Sequence, residues 1–504
     1  MQSQSSFSLN KSNLAMLPDN IATPNFDRSD VTTGIVHIGV GGFHRSHEAM
    51  YVNGYMNTTG DLNWGICGVG LRPADKKMQE VLESQDYLYS LLEKHPSGER
   101  NISVIGAITE FMMATENPKA VIDKIASPEV KIVSLTITEG GYNFDPATGE
   151  FIADNPDVIH DVANPTAPRL VFGYLLTALQ ARKAAGIAPF TIMSCDNIQH
   201  NGDVLKAMLL AYVNLVDKAF AQWVETNVAF PNSMVDRITP ATTDEDMDEL
   251  ASLGIKDSWP VVCEPFHQWV IENDFCNDRP SFESVGAQFV KHVAPYEKLK
   301  LRMLNASHSV LGLVGSIAGL ETIHGSMENA ALRDMLGKFM CTEVMPNLDA
   351  VGDLDVNEYG EILLTRFANP NIKDALSRIC LESSAKIPVF LLPTVKDNLA
   401  NGGKLDISAL VIACWAYYSE FHTSQEGKAL LVQDELADEL QSAAKGYEEN
   451  PLSFLTVSSI FGELIEYQDF TALYTNYLSQ LRAGEPVLKI VAALAPNASV
   501  PKAS

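Results

Sequence analysis

The first two hundred residues repeat one pattern. A short apolar run rich in β-branched residues stops abruptly at glycine or a polar turn, and a stretch with helical spacing follows. "GIVHIGVGG" (34–42), "WGICGVGL" (64–71), "NISVIGAI" (101–108), "VKIVSLTI" (130–137) and "PFTIMS" (189–194) are such runs. Their apolar residues sit at successive positions rather than alternate ones, so both faces of each strand have to be covered. A parallel sheet with helices on both sides does this, because parallel neighbours require crossover connections. The intervening "RSHEAMYVNGYMN" and "GDVLKAMLLAYVNLVDKAFAQWVETNVAF" read as helices, the second as one long helix after the Asn201-Gly202 turn. The fold class is therefore α/β.

From about residue 300 the strand signal fades. "SMENAALRDMLGKFMCTEVM", "VNEYGEILLTRF", "NIKDALSRICL", "ISALVIACWAYYSEFH", "DELADELQSAAKGY" and "FTALYTNYLSQLRAG" all carry helical periodicity. The reading is two domains: residues 1–290, built on the parallel sheet, and residues 291–504, mainly α-helical. A chain of 504 residues is long enough for each to bury its own core.

Composition closes off several functions. Sixty-three acids against 36 lysines and arginines give a net charge of −27, and no basic run or aromatic-basic stripe is present. Such a surface repels phosphate backbones, so nucleic acid is not an expected partner. The seven cysteines are scattered and never form a CxxC, which argues against a disulfide framework and a structural zinc site. The opening "MQSQSSFSLNKSNLAML" lacks an apolar segment after a basic patch, and the longest apolar stretches are too short to span a bilayer. The expectation is a cytoplasmic protein with no membrane partner.

"IGVGGFH" (38–44) places Gly39 and Gly41 in GxG spacing after a strand and before a helix. The first glycine permits a tight turn, and the second lets backbone N–H groups approach a pyrophosphate, as in Rossmann-type dinucleotide folds. His44 replaces the third glycine of the usual fingerprint. Gly39, Gly41, Phe43 and His44 are the candidate cofactor-binding residues of this turn. His44 and His47 have a spacing compatible with a metal, but no third ligand is apparent nearby, so no metal is expected. After the second run, "GLRPAD" puts Asp75 where a carboxylate could accept from an adenosine ribose, which favours NAD over NADP. A solvated turn aspartate fits the same residue.

"KLKLRMLNASHSVLG" (298–312) carries a second anomaly. At 100° per residue from Lys300, Leu311 falls at about 20°, Leu304 at about 40°, His308 at about 80°, Leu301 at about 100° and Asn305 at about 140°. A lysine, an asparagine and a histidine thus share the apolar stripe. Each alone fits a satisfied core polar group, but the three together point to a site.

Several stretches together resemble the long-chain polyol dehydrogenases, the mannitol dehydrogenase family. "GIVHIGVGGFHRSHEAMY", "SLTITEGGY", "SCDN", "MVDRITP", "VVCEPFHQWVIE" and "KLRMLNASHS" carry the resemblance in order, and "SRICLESSAKIPVFLLPT" extends it. It implies a Rossmann-type N-terminal domain, a helical C-terminal domain and metal-independent hydride transfer between a polyol carbon and NAD. It also implies a monomer with a small-molecule polyol or ketose as its substrate. D-mannitol and D-fructose are the leading pair. A hexuronate (fructuronate) reductase, or another polyol dehydrogenase of the family, is the alternative. The family's general base falls on Lys300, its oxyanion asparagines on Asn197 and Asn305, and its substrate-orienting histidine on His308. Substrate hydroxyl contacts fall on Asp236, Arg378 and Lys386. Ala74 departs from the acidic pair that some relatives carry beside Asp75.

The resemblance gives the buried polar stripe a chemical purpose. Oxidising a secondary alcohol requires the hydroxyl proton to leave as hydride leaves carbon. A lysine can take that proton if desolvation brings its pKa from about 10.4 towards 7–8. Two asparagine amides then donate to the developing alkoxide without adding charge.

Overall fold

The computed structural model describes residues 6–145, 148–352 and 354–495. The chain divides into two compact units, Met1–Ala294 and Pro295–Ser504.

The first unit is built on five parallel strands: β1 (Thr33–Ile38), β2 (Gly65–Gly70), β3 (Ile108–Met113), β4 (Ile132–Leu135) and β5 (Thr191–Ser194). They lie in the order β3-β2-β1-β4-β5, with β1 central. This is the strand order of a Rossmann-type sheet. Successive residues face opposite cores, which explains why apolar residues stand at consecutive positions. Val36, Ile38, Val133 and Leu135 pack with Phe172, Leu175 and Leu209 on one side. Ile35, Ile66, Ile132 and Met193 pack with Tyr51, Val52 and Trp269 on the other.

After β1 the chain makes two short helices, α1 (Gly42–Ser46) and α2 (Glu48–Thr59), broken at His47. The run at 101–108 is not a strand of the parallel sheet. Arg100–Ile105 pairs antiparallel with Tyr89–Lys94 in a separate small sheet, and β3 begins only after Gly106 and Ala107. Polar Thr109 and Glu110 inside β3 hide it from a search for continuous apolar runs. The single long helix read at 202–230 is two helices, α3 (Asn201–Val216) and α4 (Lys218–Asn227). Asp217 stands between them in extended conformation, and its carboxylate accepts from the N–H groups of Ala219 and Phe220 at 2.9 and 3.0 Å. The N-cap interaction thus wins over continued helix.

The second unit is helical. Its site-bearing elements are α5 (Ala294–Lys300), a π-helical turn at Leu301–Asn305, α6 (Ala306–Ile317), α7 (Leu376–Ile379), α8 (Ser383–Phe390) and α9 (Asp406–Phe421). Helix α9 is apolar almost all round and runs through the core, packing against α6 and against the helix Gln468–Arg482. Its N-terminus is capped from a distance: the Glu343 carboxylate accepts from Ile407 N (2.7 Å), Ser408 N (3.0 Å) and Ser408 Oγ (2.6 Å). Among the described residues, no helix is long and apolar enough to cross a membrane.

Candidate active site

The glycine turn follows β1 and leads into α1. Gly39 adopts φ +95°, and a Cβ there would lie 2.1 Å from the Thr136 carbonyl oxygen, so only glycine fits. At Gly41 the backbone is ordinary, but nothing lies within 4 Å of where a Cβ would project. This face of the turn is therefore open to a ligand. The turn is held from behind: Thr136 Oγ1 donates to the Gly39 carbonyl at 2.6 Å, and Arg45 Nε donates to the Gly41 carbonyl at 3.3 Å. Arg45 is buried against the rings of Tyr89 and Trp259 and also donates to the Trp259 carbonyl at 2.5 Å. Strand, turn and helix N-terminus thus form a cradle that fits a dinucleotide pyrophosphate.

The side chains after the glycines point two ways. Phe43 is half-buried and stacks on His47 at 5.0 Å. His44 turns into the interior and stacks face to face on His37 at 3.5 Å, with the planes 16° apart. A contribution of His44 to cofactor binding would therefore run through its backbone. Glu48 Oε2 lies 3.0 Å from His37 Nδ1 and 3.3 Å from His44 Nδ1, ion-pair contacts without the alignment of a hydrogen bond to the carboxylate. Burial alone would push the Glu48 carboxyl up, but the two rings hold it well below the usual carboxylate range. Burial, reinforced by His37, pushes His44 down to about 4, and burial pushes His47 down to about 3.

His37, His44 and Glu48 are close enough together to suggest a metal centre. The stacking argues against it. An imidazole binds a metal in its own ring plane at about 2.0–2.1 Å. Two rings stacked 3.5 Å apart cannot both keep one ion in plane. His47 is engaged elsewhere, with Nε2 2.9 Å from the Gln268 carbonyl.

Asp75 closes a one-turn 3-10 helix beyond β2. Its carboxylate accepts from Arg72 N at 3.0 Å and meets Arg72 Nη2 at 3.5 Å, while its side chain stays 21% exposed. The turn role and an open lone pair coexist. Asn197 is exposed on the segment after β5, and its neighbour Asp196 organises the surroundings. Asp196 Oδ2 accepts from Ile137 N at 3.0 Å and Tyr142 OH at 2.7 Å, and Oδ1 accepts from Thr138 N at 2.9 Å. Burial raises its pKa against the pull of those donors. Thr138 sits at φ +59°, ψ 171°, a region that a β-branched residue enters only when held there. Asp196 thus clamps the "TEGGY" segment at the carboxyl ends of β4 and β5, where open α/β sheets bind ligands. Asp236 is buried at the end of the strand Ser233–Asp236.

In the second unit the π turn revises the helical wheel. Ala306 N bonds to the Leu301 carbonyl five residues back. Such a turn places residues five apart where an α-helix places residues four apart. Lys300 and Asn305 are five apart, so the turn brings Asn305 round towards the face of Lys300 instead of about 140° from it. Both are 7% exposed. His308 follows one turn on, its ring 4.7 Å from Phe367. Helix α8 packs against the π turn and α7 against α6, where a Cβ on Gly312 would meet Ile379 Cγ2 at 2.8 Å. Arg378 is exposed and forks onto Asp374 Oδ1 at 2.9 and 2.6 Å. Lys386 Nζ donates to the Ile379 carbonyl at 3.2 Å, next to Arg378 in sequence. Lys300, Asn305, His308, Arg378 and Lys386 therefore stand on mutually packed elements. Asp196, Thr138, His37 and Glu48 are absent from the sequence reading of the site. Asp196 and Thr138 lie inside quoted motifs, "SCDN" and "TITEGGY", and Glu48 is four residues beyond His44.

Comparison with known proteins follows this geometry. Residues 33–284 match the mannitol dehydrogenase Rossmann domain, and residues 292–482 match the mannitol dehydrogenase C-terminal domain. The chain is 44% identical over 478 residues to a mannitol 2-dehydrogenase of Phaeosphaeria nodorum, covering 94% of this chain and 83% of that one. It superposes on Pseudomonas fluorescens mannitol 2-dehydrogenase, solved in a ternary complex with NAD and D-mannitol. The TM-score is 0.88 at 42% identity, covering 96% of this chain and 99% of the other. A substrate-free D-sorbitol dehydrogenase gives a TM-score of 0.87 at 35% identity, covering 97% of this chain and all of the other. The chain belongs to the mannitol dehydrogenase family.

Proposed function

We propose that this protein is an NAD-dependent dehydrogenase that interconverts D-mannitol and D-fructose. The observation that carries this reading is the full-length likeness to a mannitol 2-dehydrogenase whose complex holds NAD and D-mannitol. The open turn at Gly39 and Gly41 supports dinucleotide binding, with Phe43 and His44 continuing it and Asp75 available to the adenosine ribose. NAD held at this turn would supply the acceptor for the hydride that leaves the carbinol carbon. The chain's own residues handle the proton and the charge. Lys300 Nζ takes the hydroxyl proton from its buried place at the start of the π turn. The amides of Asn197 and Asn305 donate to the oxygen as charge develops on it. His308 orients the substrate, and Asp236, Arg378 and Lys386 hold its other hydroxyls.

No step in this scheme requires a metal. All seven cysteines are free thiols, which suits the cytoplasm, and we place the protein there as a monomer. The test is turnover of purified enzyme on mannitol, sorbitol, arabinitol, fructose and fructuronate with NAD(H) and NADP(H), in EDTA throughout. Mannitol and fructose with NAD(H) should give the highest kcat/KM. A higher kcat/KM for sorbitol or fructuronate overturns the substrate, and activity that needs added zinc overturns the metal-free scheme. Gel filtration at one subunit's mass tests the monomer.

A further inference from the structure

We propose that His37 is a positioning residue for the dinucleotide, acting through Thr136 on the Gly39 carbonyl. The inference rests on the reading that the Gly39–Gly41 turn binds the cofactor. His37 lies in β1, fully buried on the side of the sheet covered by α2, and touches no open surface. Its Nε2 is 2.9 Å from Thr136 Oγ1, and Thr136 Oγ1 donates to the Gly39 carbonyl at 2.6 Å. A hydroxyl has one proton. With that proton committed to Gly39, Thr136 can only accept from His37, so Nε2 carries the ring proton facing it. The other nitrogen, Nδ1, is flanked by Ser134 Oγ at 2.8 Å and Glu48 Oε2 at 3.0 Å, and His44 stacks on the ring face. These three neighbours stop the ring from turning over.

The consequence falls on one peptide plane. The carbonyl and N–H of a trans peptide point in opposite directions. Tethering the Gly39 carbonyl to the end of β4 therefore aims the Val40 N–H away from β4, towards the other side of the turn. A rotated Gly39–Val40 peptide would present a carbonyl there instead, and a carbonyl repels a pyrophosphate. His37 thus sets the sign of the partial charge that the turn offers, without touching the ligand.

The test is NADH affinity, read by fluorescence titration, alongside KM for NAD and kcat at saturating NAD. Thr136→Val keeps the shape and removes the hydroxyl, and Thr136→Ser restores it. His37→Leu removes the donor, and His37→Gln keeps an N–H near the Nε2 position. Thr136→Val and His37→Leu should each weaken NADH binding about five- to tenfold and raise KM for NAD alike, with kcat within about twofold. Thr136→Ser and His37→Gln should stay near wild type. The double variant should be no worse than either single, because both cut the same relay. If His37→Leu does not fold, the Thr136 pair alone carries the test. Folded Thr136→Val with wild-type affinity overturns the relay, and so does an additive double variant. A wild-type protein that binds no NADH overturns the cofactor reading, and the relay with it. A metal ion recovered one-to-one with the protein and lost in Glu48→Gln would also overturn the relay.

Discussion

Replacing Asp196 with asparagine changes one atom and disturbs three hydrogen bonds. The carboxylate accepts Ile137 N and Tyr142 OH on one oxygen and Thr138 N on the other. An asparagine placed to keep its oxygen on the first pair turns an NH2 towards Thr138 N, so that bond is lost and two donors face each other. The two remaining bonds go to a neutral acceptor, each weaker by roughly 1 kcal/mol, and the lost one costs about 1–2 kcal/mol. Relief from burying a charge, the effect that raises the pKa of Asp196, offsets about 1–2 kcal/mol of this. The net expectation is a loss of about 2 kcal/mol, a fall of about 4 to 8 °C in the melting temperature of the first unit. Thr138 at φ +59° holds strain worth roughly 1–3 kcal/mol, which the lost bond helped to contain. In a Thr138→Gly background there is little strain to contain, so the cost of Asp196→Asn should shrink. Urea and thermal unfolding of the four proteins measures this cycle. An Asp196→Asn loss under about 0.5 kcal/mol, or a cost undiminished beside Gly at 138, refutes the clamp.

Lys300→Ala should lower polyol oxidation by about 10²–10⁴-fold while NADH affinity stays near wild type, and the pH–rate profile of the variant should lack the ionisation expected of the wild type. An unchanged kcat would make Lys300 a packing residue. Asp75→Ala should narrow the preference for NAD over NADP in kcat/KM by removing a carboxylate that repels a 2′-phosphate; an unchanged ratio removes Asp75 from the ribose site. Burial pushes Glu343 up to about 7, against its three donors. The folded state therefore binds this proton more tightly than the unfolded chain, and stability should fall as pH rises from about 4.5 through 7, by roughly 3 kcal/mol at most. Glu343→Gln should flatten that slope in urea titrations at several pH values, and a slope that persists places it on another group.

The strands of the main sheet were legible where burial on both faces left a mainly apolar run, as at Ile35–Ile38 and Ile132–Leu135, each with a single polar residue, His37 or Ser134. Strand β3 was not, because Thr109 and Glu110 interrupt its pattern. The break at Asp217 was hidden for a different reason. Apolar spacing continues across it, and only the cap formed in three dimensions shows that the chain preferred two helices. The glycine turn could be read from spacing alone, since φ +95° at Gly39 is a demand of the backbone. The His37 relay could not, because its members come from β1, from the glycine turn and from the end of β4, and sequence distance conceals a 2.9 Å contact. Grouping Lys300, Asn305 and His308 needed only the wheel. Their true phase needed the π turn, which no residue type announces.

That turn is a one-residue surplus in an otherwise regular rod, and it gives this stretch an unusual response to in-frame deletion. Losing a residue from a packed helix ordinarily swings everything downstream by about 100° and ruins the core. Here, removing one of the four residues between Lys300 and Asn305 would let the segment relax into plain α-helix, with α6 keeping its seat beside α7 and α9. The product would be a chain that folds, with a straighter helix, in which the lysine and the asparagine, now four residues apart, still share one face. A lesion that elsewhere would be read as a folding defect would at this point be absorbed by the turn.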